Sequence, residues 1–240
     1  MGGNKSLARL FSFSDVAYHT WSYVDIQSLH KLMSASTQYV SDRHFETLSA
    51  IVKERYDFSL VDIPEEVVDY KRLQTIKAEI KRMLWYQDIE ALFALLFTAK
   101  HHINTSKSLK GLFSLDLSDR ISCKTLLHVA CQYGFANGVS LILSFAKSIP
   151  YGISTLWSHC HCSAYPVDNA VRWGHINVLQ VLLKYNCDIS GPILGGLRPI
   201  HALVQNGFDI RSLLPLLPRS SLDIPCLNHI LGRESYLWFI

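Results

Sequence analysis

The sequence predicts an all-α fold assembled from a repeated helix-turn-helix unit, and three observations predict it. The first is the stretch from Thr125 to Leu143, in which Thr125 and His128 bracket two leucines, Ala130 sits where two helices come close, and Gly134 stops the first helix before a second apolar run. The second is recurrence. Tyr165, Pro166, Val167, Ala170, Gly174, Val181, Leu182 and Leu183 repeat the order, and Arg198, Pro199, Ile200, His201, Gly207 and Leu213 repeat its first half. In every copy the opening residue precedes the glycine by nine positions. The third is the period: the second and third glycines lie 33 residues apart and the first two 40, an insertion of about seven residues on a 33-residue repeat. A lone unit cannot bury its apolar stripe, so recurrence implies a stack whose core lies between neighbouring units.

These residues resemble the ankyrin repeat. His201, Ala130, Gly174, His175 and the run from Val178 to Leu183 are similar to the family's T-P-L-H…A…G-H…V-x-x-L-L-L pattern, and Asn186-Cys187-Asp188-Ile189 resembles its closing loop. Independently of the resemblance, Pro at the first helical position is preorganised for a helix start and glycine supplies the stop. The repeat phase predicts Ala130, Ala170, Leu141, Leu143, Leu182 and Leu183 buried between units. The resemblance implies a partner-binding concave face lined by the two residues before each repeat glycine: Gln132 and Tyr133, Arg172 and Trp173, Gln205 and Asn206. Tyr, Arg and Trp dominate interface energetics, while Trp is also often largely buried. Trp173 therefore either meets a partner or folds against its own repeat.

Before the stack, residues 1–76 read as an N-terminal helical extension. Met1-Gly2-Gly3-Asn4-Lys5-Ser6 fits the N-myristoylation pattern with Gly2 as the acylated residue. From Trp21 to Tyr56 apolar positions recur at three and four, as two amphipathic helices require, with Ser41 a plausible cap for the second. Pro64-Glu65-Glu66 reads as a new helix start. The repeats should occupy 77–218. A degenerate unit at 77–104 places Asp88 where the glycine would be, and Thr105 to Arg120 reads as a connecting loop. The clear units follow at about 121–150, 161–190 and 194–218. In the last, Pro215 falls inside the second helix, where it removes a backbone donor and clashes with the preceding turn, so that helix should be short or broken.

The excess length between the first two clear units contains Trp157-Ser158-His159-Cys160-His161-Cys162. Thiolate and imidazole are zinc ligands, but structural sites present them as two separated pairs, and four consecutive candidates cannot converge on one tetrahedral ion. The cluster reads as an exposed loop with no metal. The six cysteines, at 123, 131, 160, 162, 187 and 226, are expected as thiols in a reducing, cytoplasmic setting.

Residues 219–240 follow the stack. Leu222, Cys226 and Ile230 recur at four and would line one helical face. Ser221-Leu222-Asp223-Ile224-Pro225-Cys226 resembles the elongin C-binding box of the ankyrin-repeat and SOCS-box family. That resemblance implies a short C-terminal partial SOCS-box-like helix, elongin B/C as partner, and a substrate-recognition adaptor of a cullin ubiquitin ligase whose ankyrin repeats choose the target. Pro225 stands where the family has Leu, Leu227 replaces Arg, and no cullin-type segment follows Gly232. The expected behaviour is weak elongin binding without cullin recruitment, from a truncated or alternative C-terminus. The competing reading is an ankyrin scaffold without a ligase connection, in which the same stripe seals the last repeat.

With 49% apolar and 18% charged residues, the 240-residue chain reads as folded. A net charge of +3 with no run of five Lys or Arg leaves no footprint for nucleic acid. Its longest apolar run, Ala91 to Ala99, is far short of the roughly 20 residues a membrane span needs. No nucleophile elbow, phosphate loop, metalloprotease helix or supported carboxylate pair is present, and the resemblance assigns His128 and His201 structural hydrogen bonds. The chain is expected to be non-enzymatic and to need no cofactor.

Overall fold

The computed structural model describes residues 42–63, 69–102, 107–118, 124–157, 165–187 and 198–216, with backbone alone at 42–45 and 47. The regular structure of these residues is helical, with no strand among them. Gly2, the first expected N-terminal helix, Ser41, the helix start at Pro64, the His/Cys cluster at 158–162, and Leu222, Cys226 and Ile230 lie outside the described residues. The chain forms two compact units, 1–109 and 110–240. The sequence placed a boundary at residue 76, but that position falls inside a continuous helix.

The first unit holds α1 (Asp42–Tyr56), α2 (Tyr70–Trp85) and α3 (Ile89–His101), with a 3-10 turn at Leu60–Asp62. Asp69 caps α2 by accepting from the Arg72 N–H at 3.0 Å. Helix α3 packs against α1 and α2 and buries every residue from Ala91 to Ala99, because it is apolar on all sides. Thr98, the lone hydroxyl in that run, satisfies itself on the Ala94 and Leu95 carbonyls, at 2.8 and 3.0 Å.

A buried-edge ion network ties α1 to the start of α3. Arg55 bonds both Asp88 oxygens at 2.9 Å and Glu90 at 2.6 Å, and the Tyr56 hydroxyl donates to Asp88 at 2.9 Å. Burial alone would lower the Arg55 pKa, but its hydrogen bonds to Glu90 and Asp88 outweigh that and raise it. Burial, reinforced by the Asp88 charge, raises that of Tyr56. Asp88 also caps α3 through the Ala91 N–H at 3.0 Å. The expected equivalence of Asp88 with a repeat glycine is therefore off by one: the left-handed residue is Gln87, at φ +54°.

The short helix α4 is Leu109–Ser114. Leu109, Leu112, Phe113 and Leu117 are buried, so the expected connecting loop at 105–120 contains a packed helix. Leu109 and Leu112 are three residues apart and so share a helical face.

The second unit continues with α5 (Leu126–Gln132), α6 (Ala136–Lys147), α7 (Gly152–Trp157), α8 (Pro166–Arg172), α9 (Ile176–Lys184) and α10 (Pro199–Gln205). The first helices α5, α8 and α10 pack side by side, and the second helices α6 and α9 form a layer against them. Ala130 and Ala170 are fully buried in the first layer, Leu141, Leu143 and Leu182 in the second. Leu183, expected in this core, is only half-buried. After α10 the chain forms only a 3-10 turn, Leu214–Leu216, around Pro215, where the sequence anticipated a short or broken helix.

The excess length between the first two clear repeats is partly helical: the exposed loop expected of the cluster at 157–162 lies, apart from Trp157, outside the described residues. The described residues before the cluster fold as α7 against α5 and α6, burying Gly152 and Leu156. The Leu156 carbonyl accepts from the Thr125 hydroxyl at 3.0 Å, which fixes the start of α5. His128 is fully buried in the same cap, with Nδ1 2.8 Å from the Thr125 hydroxyl and accepting from the Thr125 N–H at 3.3 Å.

Candidate protein-binding surface

Helices α5, α8 and α10 end in the same turn, and the turn decides where the preceding side chains point. Tyr133, Trp173 and Asn206 sit near φ −90° and ψ 0° and are followed by Gly134, Gly174 and Gly207 at φ +69°, +68° and +77°. The next N–H then turns back into the helix: Phe135 donates to Ala130, His175 to Ala170 and Phe208 to Leu203, at 3.1, 2.9 and 2.9 Å. The glycine N–H groups donate to Cys131, Val171 and Val204. This paired closure satisfies the last helical carbonyls, and it accepts a left-handed residue most cheaply as glycine.

Within the second unit, neighbouring helix pairs interlock at these turns. A Cβ on Gly134 would lie 2.6 Å from His175 Nδ1, and His175 Nε2 bonds the Gln132 carbonyl at 3.0 Å. Phe208 sits over Gly174 in the same way, whereas Gly207 has nothing within 4 Å. The turns at Gly134 and Gly174 are thus each covered by the residue that follows the next turn's glycine, His175 and Phe208.

The six residues named from sequence fall on these turns. Arg172, Gln205 and Asn206 are exposed, Gln132 and Tyr133 are half-buried, and Trp173 keeps 58% of its surface in solvent. Of the two readings open for Trp173, the folded-back one does not occur. Gln132 is held by Lys124, whose ammonium donates to its side-chain oxygen at 2.8 Å.

The first unit carries a turn that the sequence pattern concealed. Gln87 takes the left-handed position, Asp88 donates back to Met83 at 3.1 Å, and the preceding Trp85 and Tyr86 are 63% and 68% exposed. The signal was Trp-Tyr directly after an amphipathic run, and the absence of glycine hid it.

No three His, Cys, Asp or Glu among the described residues are placed to hold a metal. Burial pushes the Cys131 thiol well above its usual range, with Cys187 adding to the effect, and pushes Cys187 up to about 11, so neither is a ready nucleophile. No helix among them is long and apolar enough to cross a membrane. Comparison with models of known protein families, with curated proteins and with solved structures finds no match.

Proposed function

We propose that the chain is a non-enzymatic protein-interaction module that uses ankyrin-like repeats to capture a protein target on the row of turns carrying Gln132, Tyr133, Arg172, Trp173, Gln205 and Asn206. One observation carries the reading: Trp173, flanked by exposed Arg172, stays 58% in solvent on a turn built to hold it there. Leaving more than half of a large apolar ring in water forgoes part of the roughly 1.5–3 kcal/mol that full burial of a large apolar side chain returns, and capture by a partner would recover that part. The double variant Arg172→Ala/Trp173→Ala should lose target capture in a pull-down while its thermal melt stays nearly unchanged. Unfolding of that variant would assign the pair to the core and sink the proposal.

The ligase connection is a second part of the proposal. It rests on Leu222, Cys226 and Ile230, whose four-residue spacing after the repeats supports a stripe for elongin C. In that role the chain would be a substrate-recognition adaptor joined to elongin B/C. Blotting a pull-down of the intact chain and of Leu222→Ser/Cys226→Ser for elongin C tests it: capture by the intact chain alone supports the adaptor, and absence from both leaves an ankyrin scaffold. Gly2 acylation would add a membrane tether, and mass spectrometry of the N-terminal peptide decides it.

A further inference from the structure

Charge is distributed unevenly along this chain. Residues 110–216 contain eight Lys and Arg against five Asp and no Glu, so this stretch accounts for the whole formal excess of +3. The carboxylates described there are already engaged within the fold. Asp116 accepts from the Ser118 and Lys124 N–H groups at 2.9 and 3.0 Å. Asp168 is buried and accepts from the Tyr165 N–H at 2.7 Å. Asp209 is gripped by the Arg211 guanidinium, at 2.6 Å in its shortest contact. Arg172, exposed on the turn row, makes no ion pair with any described residue. The Lys124 ammonium stands on the same row, against Gln132. None of the six turn residues carries a carboxylate.

We infer that the segment captured on this row is an acidic stretch of polypeptide, with a carboxylate on the Arg172 guanidinium and an adjoining apolar side chain on the Trp173 ring. The inference rests on the protein-binding reading above and gives its partner a chemistry. Guanidinium matches a carboxylate with two parallel N–H bonds, and the indole beside it supplies apolar area at low conformational cost. Gln205 and Asn206 add amides that can bond a peptide backbone in either sense. The obvious objection is that helix C-termini repel anions. Here the Ala170 and Val171 carbonyls are occupied by the His175 and Gly174 N–H groups, which blunts that repulsion beside Arg172. Nucleic acid would need a denser run of cations than Arg172 and Lys124 provide.

Random-sequence peptides displayed on phage and panned on the full chain test the inference, with Arg172→Ala/Trp173→Ala as the counter-selection. Sequences enriched by the intact chain and lost on the variant should be rich in Asp or Glu next to Leu, Phe or Trp. Synthetic copies should bind Arg172→Ala about tenfold or more weakly, the usual loss for a charge-assisted pair, with only part of it restored by Arg172→Lys, which keeps the charge but not the paired N–H geometry. Arg172→Glu should select basic sequences instead. Thermal melts of each variant establish that it is folded. Pair-dependent sequences that are neutral or basic would overturn the acidic inference and leave the binding surface standing. Displacement of an acidic peptide by single-stranded DNA, with the same dependence on Arg172, would reassign the row to nucleic acid. Enrichment of no sequence that depends on the pair would remove the surface itself.

Discussion

At Gly134 two separate demands meet in one residue. The backbone is left-handed, which costs a residue with a Cβ about 1–2 kcal/mol, and the space a Cβ would fill is held by His175. His175 cannot yield freely, because its Nε2 is bonded to the Gln132 carbonyl at 3.0 Å. Gly134→Ala should therefore cost about 2–4 kcal/mol, the backbone term plus a lost hydrogen bond and local crowding. Gly207 shares the left-handed backbone but has open space around it, so Gly207→Ala should cost only about 1–2 kcal/mol. Urea titration of the two variants measures the difference, and equal losses would mean that His175 holds nothing in place. His201 makes a residue-level prediction of a different kind. It is buried, and among the described residues its Nε2 has no hydrogen-bond partner. Burial, helped by Arg198, holds its pKa below the ordinary 6.5. The unfolded chain thus takes up the proton first as pH falls. The stability that neutral His201 contributes is complete above about 6.5 and is lost as pH drops from there through the lower folded value. The urea midpoint should fall in that window, and His201→Gln should flatten the fall. An unchanged profile in His201→Gln would place the sensitivity elsewhere, His101 being another histidine among the described residues held low by burial.

Adjacent leucines in α9 show how far an element's packing was legible. Leu182 is fully buried, so Leu182→Ala should cost about 2–5 kcal/mol. Leu183, one step around the helix, is half-buried, and Leu183→Ala should cost clearly less. Thermal or urea unfolding of the pair checks the order, and a reversed order would rotate α9. Sequence periodicity located the helix but counted both leucines as core, because a run of apolar residues does not say how wide the buried stripe is. The turns were readable wherever glycine marked them. At Gln87 the same left-handed turn forms without glycine, and the reading slipped one residue to Asp88, which is instead held by Arg55 and Tyr56 from 33 and 32 positions away. Such partners leave no local pattern. Helices α4 and α7 were missed for a related reason: each has six residues, too few for a period to declare itself, and what holds α7 is contact with α5 and α6.

On the scale of the whole molecule, charge says something about association that it does not say about fold. Residues 110–216 hold the formal excess of positive charge while the described carboxylates of that stretch are hydrogen-bonded within it, and Arg172 is exposed on the turn row, so net charge there favours an acidic partner. Arg172 lies at the surface, where screening is strong: the Debye length falls from about 10 Å at 0.1 M salt to about 3 Å at 1 M. Trp173 contributes through burial of apolar area, which salt does not screen. The two residues should therefore separate under titration. Binding of an acidic peptide, followed by fluorescence anisotropy, should weaken steadily as salt rises. Arg172→Ala should flatten that dependence, because it removes the charge through which salt acts. Trp173→Ala should lower affinity at every salt concentration and keep the slope. If the intact chain and Arg172→Ala show the same slope, the steering charge lies elsewhere, and the Lys124 ammonium beside Gln132 becomes the next group to replace.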